Sequence, residues 1–585
     1  MSVLNATASV LSDITQFTFN TFDYTVLVFL LCISAAIGVY FGFFAKGEET
    51  TEEIYLHGGK QMKVLPIAIS LVASQLSGIT FMTIPAEMYS FGINWGFTIV
   101  AMVVIIPLLC WVILPVFYNN GITNCYEYLQ LRFNRKTREL LTAAFILTLF
   151  FMLPVFTFIP ALAFSQVTGI HIHLINGIVC SICVFYTMFG GIKAVVWTDV
   201  VQAVIMVVSV VLVAVLGVIK VGGFGEVFRI ASEGGRLDVN YAFDFTTRST
   251  FWNCFISSTV IWTSFLGLDQ SSVQRIVSLP TLKQARHSLI IFGFGFVLIM
   301  GFNCLTGIVM YARYHDCDPL AAGYVEKADK LMPFFVQDVV GHLKGMPGVF
   351  ISCVFSAALS TMSASMNALA GIVYFDCIKP RINHTERRAN MIMKALVLFT
   401  GVYCILAGAI VERFTSILQM LYSINGVTIG AVFGVFMMGM LVPKAHGRAA
   451  FYAVVASMLT MVVIVILAQG RLHYQTLPSS VEYCPVLNMT QSNISPLVNL
   501  PLPTENHLDK GFNILDMSFN WYVVFGAFIV FAVGIPFSYI LTPEKGAKFD
   551  VKLLSPIIQP FVNYELAQVN EVLTEIITSK LPLKS

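Results

Sequence analysis

The chain has 585 residues, of which 57% are hydrophobic and only 11% charged, and its mean hydropathy is +0.80. A water-soluble chain of this length has no need of so much apolar surface, so the bilayer is its solvent. The net charge of +2, with 34 basic residues in short clusters between apolar runs, excludes nucleic acid as a partner.

A helix crosses the hydrocarbon with about 20 apolar residues, because every backbone polar group must be satisfied within the segment. Runs free of Asp, Glu, Lys and Arg begin near Tyr24, Val64, Asn94, Leu140, His173, Val200, Ser249, Ser288, Gly345, Ala395, Phe414, Ala449 and Phe519. The uncharged stretch from Leu140 to Ile192 is too long for one helix, and the polar segment Gln166 to His173 divides it. An all-α polytopic membrane protein of about thirteen spans results. The N-terminal segment lacks a basic n-region and a small-residue cleavage site beside an apolar core, so the first span is expected to direct insertion uncleaved.

Orientation follows from the short loops, since Lys and Arg accumulate on the cytoplasmic side. Arg132, Arg135, Lys136 and Arg138 share a side with Lys283 and Arg286 and with Lys379, Arg381, Arg387 and Arg388, whereas the turn Gly92 to Asn94 carries no charge. An odd span count then puts the N-terminus outside and the C-terminus inside, across the plasma membrane. Asn5, Asn488 and Asn493 fall outside as glycosylation acceptors, while Asn383 is cytoplasmic and unused. Most cysteines lie in apolar runs and read as small hydrophobes, Cys180 and Cys183 included. Cys317 and Cys484 both fall in outer loops, where a disulfide is chemically allowed.

Polar clusters inside apolar spans are costly and tend to line a cavity. The second span reads Ser70-Leu-Val-Ala-Ser-Gln-Leu-Ser-Gly-Ile-Thr80, and the seventh reads Trp262-Thr-Ser-Phe-Leu-Gly-Leu-Asp-Gln-Ser-Ser272; each has a glycine among its polar residues. Five spans separate them, so each can open a five-helix repeat, and an odd repeat length inverts one copy relative to the other. Broken helices in corresponding places mark a midplane binding site. Gln75, Ser77, Thr80, Trp262, Phe265 and Asp269 are the candidate solute contacts on these segments. For Asp269 a capping role stands beside the functional one. Gly426, Gly430 and Gly434 in the eleventh span read instead as a packing stripe. In the ninth span Ser360 and Thr361 are adjacent hydroxyls with Ala357 one turn earlier on the same face. A hard monovalent cation is satisfied by neutral oxygens, so two hydroxyls and the carbonyls freed at a helix break suffice for its shell. The competing reading is that each hydroxyl bonds to its own i−4 carbonyl.

With SLVASQLSGITFMTIPAEMYSFG at Ser70 to Gly92, YEYLQLRFNR at Tyr126 to Arg135, GGIKAVVWTDVVQ at Gly190 to Gln202, DQSSVQR at Asp269 to Arg275, DCDPL at Asp316 to Leu320 and SAALSTMSASMNALA at Ser356 to Ala370, the chain resembles the sodium/solute symporter family. The branch is that of sodium-coupled monocarboxylate, multivitamin and iodide transporters. The resemblance covers most of the chain from Tyr24 to Pro543. It implies a five-plus-five inverted-repeat core with an amino-acid-transporter-like fold and two broken helices, preceded by one helix and followed by two. On this division residues 1–45 hold the outer N-terminus and first span, 46–443 the transport core, 444–543 two further spans with a glycosylated outer loop, and 544–585 a cytoplasmic tail. The resemblance also implies sodium ligation by the carbonyls of Ala73, Leu76 and Ala357 and the hydroxyls of Ser360 and Thr361, with Asp199 and Gln202 on the ion's exit path. Lys193 is a nearby ion-pair partner for Asp199. Position 75 is Gln where the branch usually has Phe, and position 269 is Asp where it usually has Asn; Thr80 matches the monocarboxylate transporters rather than the iodide transporter, which carries Gln there.

The expectation is therefore a sodium-coupled symporter of a small organic anion, with sodium as coupling ion, no other cofactor and no bond chemistry. No Arg is expected within the binding spans, so the N-terminal end of a half-helix would meet the solute's carboxylate. The alternatives are a sodium-permeable sensor or channel of the same fold, and a symporter of an inorganic anion such as iodide.

Overall fold

The computed structural model describes residues 19–40, 44, 62–382, 385–411, 417–468, 471, 474–484, 513–544 and 550–562. Asn5, Asn383, Asn488 and Asn493 lie outside the described residues.

The regular secondary structure of the described residues is helical. An apolar helix, α1 (Thr21–Val39), precedes α2 (Val64–Gln75) and α3 (Gly78–Phe91), which form one span bent by 59°. Ile93–Asn119 (α4) follows, then the short α5 (Cys125–Arg132) and the long α6 (Arg135–Thr168). Gly169, at φ 71°, ends α6 in the left-handed conformation that caps helices best when no Cβ is present. The run Ile172–Val221 (α7) carries two apolar spans, Ile172–Phe189 and Ile192–Val221, on either side of Gly190 and Gly191. After α8 (Phe224–Glu233), α9 (Phe251–Gly267) and α10 (Gln270–Ile276) make a second broken span, bent by 57°. Then come α11 (Leu282–Tyr314), α12 (Leu331–Val340), α13 (Met346–Ile372), α14 (Glu386–Val411), α15 (Ile417–Leu441), α16 (Gly447–Ala468) and α17 (Tyr522–Ile540). Ten described helices are long and apolar enough to cross a membrane, and twelve if each bent pair is one span; α1 is apolar but shorter, so the described residues give up to twelve spans where thirteen were expected. Several helices overrun the uncharged runs read from sequence. Those at Arg135 and Glu386 start on charged turns, because charged flanks can stay helical beyond the hydrocarbon.

The two breaks lie five spans apart and bend almost equally, as a repeat requires. Gly78, at the first, is needed for close approach: a Cβ there would stand 3.1 Å from the Val354 carbonyl of α13. The stripe on α15 packs as expected, since a Cβ on Gly430 would fall 2.5 Å from the Val523 carbonyl of α17.

The ends of the spans form two opposite faces. On one, Arg132 donates to the carbonyls of Gly439, Ala445 and Val442 at 2.8–2.9 Å, Arg138 pairs with Asp376, and Tyr128 donates to the Leu553 carbonyl at 3.2 Å. Basic loops that are separate in sequence therefore meet. On the other face the segment 474–484 crosses the tops of several helices. The Leu477 amide donates to Ser90 at 2.9 Å, Arg236 donates to the Pro478 carbonyl at 2.6 Å, and Cys317 and Cys484 are disulfide-bonded.

Candidate substrate and cation site

Both helix breaks leave backbone groups without helical partners. Leu76 leaves α2 at φ −93°, ψ 95°, and Ser77 is extended before α3 begins. Leu268 and Asp269 are likewise non-helical between α9 and α10. The last carbonyls of α2 and α9 and the first N–H groups of α3 and α10 are thus free for other partners. Gln75 ties the breaks together: its Nε2 donates to the Phe265 carbonyl at 3.3 Å and to Ser272 Oγ at 2.6 Å. Ser272 in turn donates to the same carbonyl at 2.7 Å.

A cavity of about 230 Å³ opens beside these breaks. Gln75, Ser77, Thr80, Trp262, Phe265 and Asp269 all line it, with Ser74 and Thr361. The far wall comes from Phe145 and Met152 of α6, Tyr126 of α5, and Tyr422, Asn425 and Thr428 of α15. Asp269 caps α10, accepting from the Ser271 amide at 2.9 Å and from the Ser271 hydroxyl. The capping role and the cavity-facing position therefore coexist. A second cavity of about 240 Å³ lies on the other side of α10, lined among others by Asn124, Glu127, Arg138, Gln270 and Gln274. Gln270 stands at the partition, accepting from the Cys125 amide at 2.9 Å and donating to the Thr123 carbonyl at 3.2 Å.

The cation candidates gather where α2 crosses α13. Thr361 Oγ1 is 2.9 Å from the Ser74 carbonyl and 3.0 Å from its own Ala357 carbonyl. The i−4 bond anticipated for such hydroxyls is thus present, shared with a bond to the neighbouring helix. Ala73 and Leu76 flank Ser74 and are fully buried. Ser360 donates to Asp199 Oδ1 at 2.6 Å, and Ser70 donates to Oδ2 at 2.7 Å. Gln202 is buried three residues along α7, donating to Ser34 of α1 at 3.3 Å, with its Oε1 unpartnered.

Two expectations are corrected here. The cation paired with Asp199 is Arg275, Nη2 to Oδ2 at 3.0 Å, and not Lys193. An Arg does occur inside the binding spans: Arg275 is 2% exposed in α10 and also donates to Ser74 Oγ. It lies in the seventh span, six residues after Asp269, where the short half-helix buries it. Sequence reasoning also passed over Ser70, Ser74, Asn425 and Thr428. For Arg275 a signal existed, a lone cation in a polar segment between apolar runs; for Asn425, in an apolar span, none did.

A family model described as the sodium:solute symporter family matches residues 55–457. The chain belongs to this family of secondary transporters. Among its relatives, sodium-coupled monocarboxylate transporter 2 of Mus musculus is 33% identical over 556 residues, covering 93% of this chain and 87% of that protein. Sodium-coupled monocarboxylate transporter 1 of Homo sapiens is 36% identical over 516 residues, covering 86% and 83%. The sodium/iodide cotransporter of Homo sapiens is 34% identical over 497 residues, covering 83% and 76%. In three dimensions the chain is similar to a Na+-coupled sialic acid symporter in a substrate-bound outward-open state, with a TM-score of 0.73 at 23% identity over 90% of this chain and 99% of that one. The fold is accordingly the inverted-repeat transporter fold anticipated from the broken helices.

Proposed function

We propose that this protein is a sodium-coupled symporter that moves a small organic anion, a monocarboxylate or vitamin-like carboxylate, by alternating access across the plasma membrane. One observation carries the reading. Two broken helices meet at a cavity, and the end of one of them crosses a pair of adjacent hydroxyls next to a buried carboxylate. The carbonyls of Ala73, Leu76 and Ala357 with the hydroxyls of Ser360 and Thr361 form the sodium shell, and Asp199 and Gln202 draw the ion toward the cytoplasm. Gln75, Ser77, Thr80, Trp262, Phe265 and Asp269 hold the solute, and Gln270 partitions the outer from the inner cavity. The names of the curated relatives support sodium coupling and a monocarboxylate. On this reading the face bearing the basic loops is cytoplasmic, the disulfide-bearing face is extracellular, and the chain divides into an outer N-terminus with the first span, a transport core, two further spans and a cytoplasmic tail.

The energetics limit the stoichiometry. One sodium entering through ~60 mV gains about 1.4 kcal/mol, and a ~10-fold gradient adds a similar amount. A monovalent anion forfeits the electrical part and concentrates only about 10-fold with one ion, so a second sodium benefits an anion carrier. The test is uptake of labelled lactate, pantothenate, biotin and iodide into proteoliposomes under an inward sodium gradient, with counter-flow of the carried solute. Sodium-driven accumulation with counter-flow supports the proposal. Sodium current without counter-flow would make the protein a channel or sensor, and uptake of iodide alone would make the cargo inorganic.

A further inference from the structure

The first four residues of the short helix α5 engage four different neighbours. The Cys125 amide donates to Gln270 Oε1 at 2.9 Å, at the partition between the two cavities. Tyr126 lines the outer cavity and Glu127 the inner one. Tyr128 turns to a further side, where its hydroxyl donates to the Leu553 carbonyl at 3.2 Å. Leu553 belongs to the segment 550–562, which follows the last span and packs back onto the helix ends. Leu554 and Ser555 are fully buried in that seat, and Leu553 is buried beside them. The segment is held at two further points. Asn120, just past the end of α4, donates to the Lys552 carbonyl at 2.9 Å, and the Ser555 amide donates to the Met440 carbonyl, in the last turn of α15, at 2.9 Å. Tyr128 also stacks on Phe436 of α15 with ring centres 5.6 Å apart, and Phe436 meets Tyr126 at 6.3 Å.

From this convergence we infer that the segment 550–562 is a positioning element of the partition: seated on Tyr128, it holds α5 where the Cys125 amide keeps Gln270 in place. Gln270 takes one bond from Cys125 and gives another to the Thr123 carbonyl, so the outer cavity opens to the inner one only when α5 parts from α10. Cys125 and Tyr128 are one turn apart in a helix of eight residues, and such a helix moves as one piece. Motion at the partition therefore strains the contacts with the tail, and unseating the tail frees the partition. A segment that spans no membrane thereby sets how often the two cavities connect. The inference goes beyond the symport reading and rests on its alternating access, which requires the partition to part in each cycle.

The experiment uses the full chain in proteoliposomes and reads the partition directly. Cys125 is a free, fully buried thiol at the partition, so its alkylation by N-ethylmaleimide, quantified by peptide mass mapping, reports opening whether or not a solute is carried. Cys404, a free thiol equally buried in α14, reports any general loosening of the packing. Tyr128→Phe removes only the hydroxyl bonded to the tail, and Leu554→Asp puts a charge into the tail's seat without touching α5. Alkylation of Cys125 is expected to quicken by at least about threefold in Tyr128→Phe and by more in Leu554→Asp, with Cys404 unchanged. Leu554→Met, which refills the seat, is expected to label at the parent's rate. Cys125 alkylated at the parent's rate in both of the first two variants overturns the inference. A rise shared equally by Cys404 also overturns it, because the tail then merely holds the fold together. Absence of sodium-driven uptake by the parent would count against the symport reading instead, and the labelling still decides whether the tail holds the partition.

Discussion

Replacing Ser360 by Ala and Thr361 by Val removes two hydroxyls while leaving the volume of the crossing almost unchanged. Each hydroxyl has one proton and two lone pairs. Ser360 spends its proton on Asp199 at 2.6 Å, and Thr361 spends its own on the Ser74 and Ala357 carbonyls at 2.9 and 3.0 Å. Their lone pairs are thereby turned away from those partners and left for a cation. With both residues buried, water replaces the lost oxygens poorly. Each missing ligand removes about 1–1.5 kcal/mol, so the pair removes about 2–3 kcal/mol, equivalent to roughly 30- to 150-fold in affinity. Asp199 offsets part of this, because a carboxylate with one fewer donor attracts sodium more strongly. We expect the half-saturating sodium concentration to rise at least about tenfold. The assay is uptake over a sodium series at constant ionic strength, paired with thermal stabilisation of the purified protein by sodium. A half-saturating concentration within about twofold of the parent in both readouts, at equal incorporation, refutes the assignment of these hydroxyls as ligands.

Other outcomes follow from the same geometry. Serine at both Cys317 and Cys484, whose bridge closes a loop across 167 residues, is expected to cost about 2–4 kcal/mol of stability; an unchanged thermal midpoint would show that the strap contributes nothing. Asparagine-linked glycan is expected on Asn488 or Asn493 and not on Asn383, and peptide mapping that finds it on Asn383 reverses the proposed orientation. Burial pushes the Asp329 carboxyl, in the turn Ala328–Lys330, up to about 6, with Lys327 opposing the shift and Glu87 adding to it. A carboxyl raised in the folded state favours folding at acid pH, and this advantage is lost as pH rises through about 6. Asp329→Asn should therefore be more stable than the parent at neutral pH, with the gain fading as pH falls from about 6 toward 4. A gain that is constant over this range, measured as a melting midpoint, contradicts the sign.

The span pattern was legible because hydrocarbon leaves the chain so few options. Every helix long enough to cross had to be apolar, and both breaks stood out as glycines among hydroxyls and amides, at Gly78 and Gly267. The disulfide between Cys317 and Cys484 was legible only as an allowed pairing of loops on one side. Helix ends were not, since Arg135 and Glu386 continue helices that the charge rule ended. What sequence could not supply was the pairing of distant polar groups. Asp199 and Arg275 are 76 residues apart, and Ser360 and Asp199 are 161 apart. No periodicity connects them; Lys193 was simply the nearest cation along the chain. Asn425 was invisible for another reason, because one amide in an apolar span acquires meaning only when a cavity is seen in front of it.

The position of Asp199 bears on how ion and solute sites communicate. Its carboxylate is shared by Ser70 of α2, Ser360 of α13 and Arg275 of α10, so three helices converge on one buried charge. The helix bringing Arg275 is only seven residues long and begins directly after Asp269 at the cavity. If sodium passes Asp199 as proposed, a shift of that carboxylate toward the ion would weaken its hold on Arg275, and a helix of two turns would pass the change to the cavity wall six residues away. On the function proposed here, coupling then requires no long pathway, only a short lever with a charge near each end. Linkage fixes the consequence: the factor by which sodium tightens solute binding must equal the factor by which solute tightens sodium binding. A change confined to Arg275 must alter both factors together.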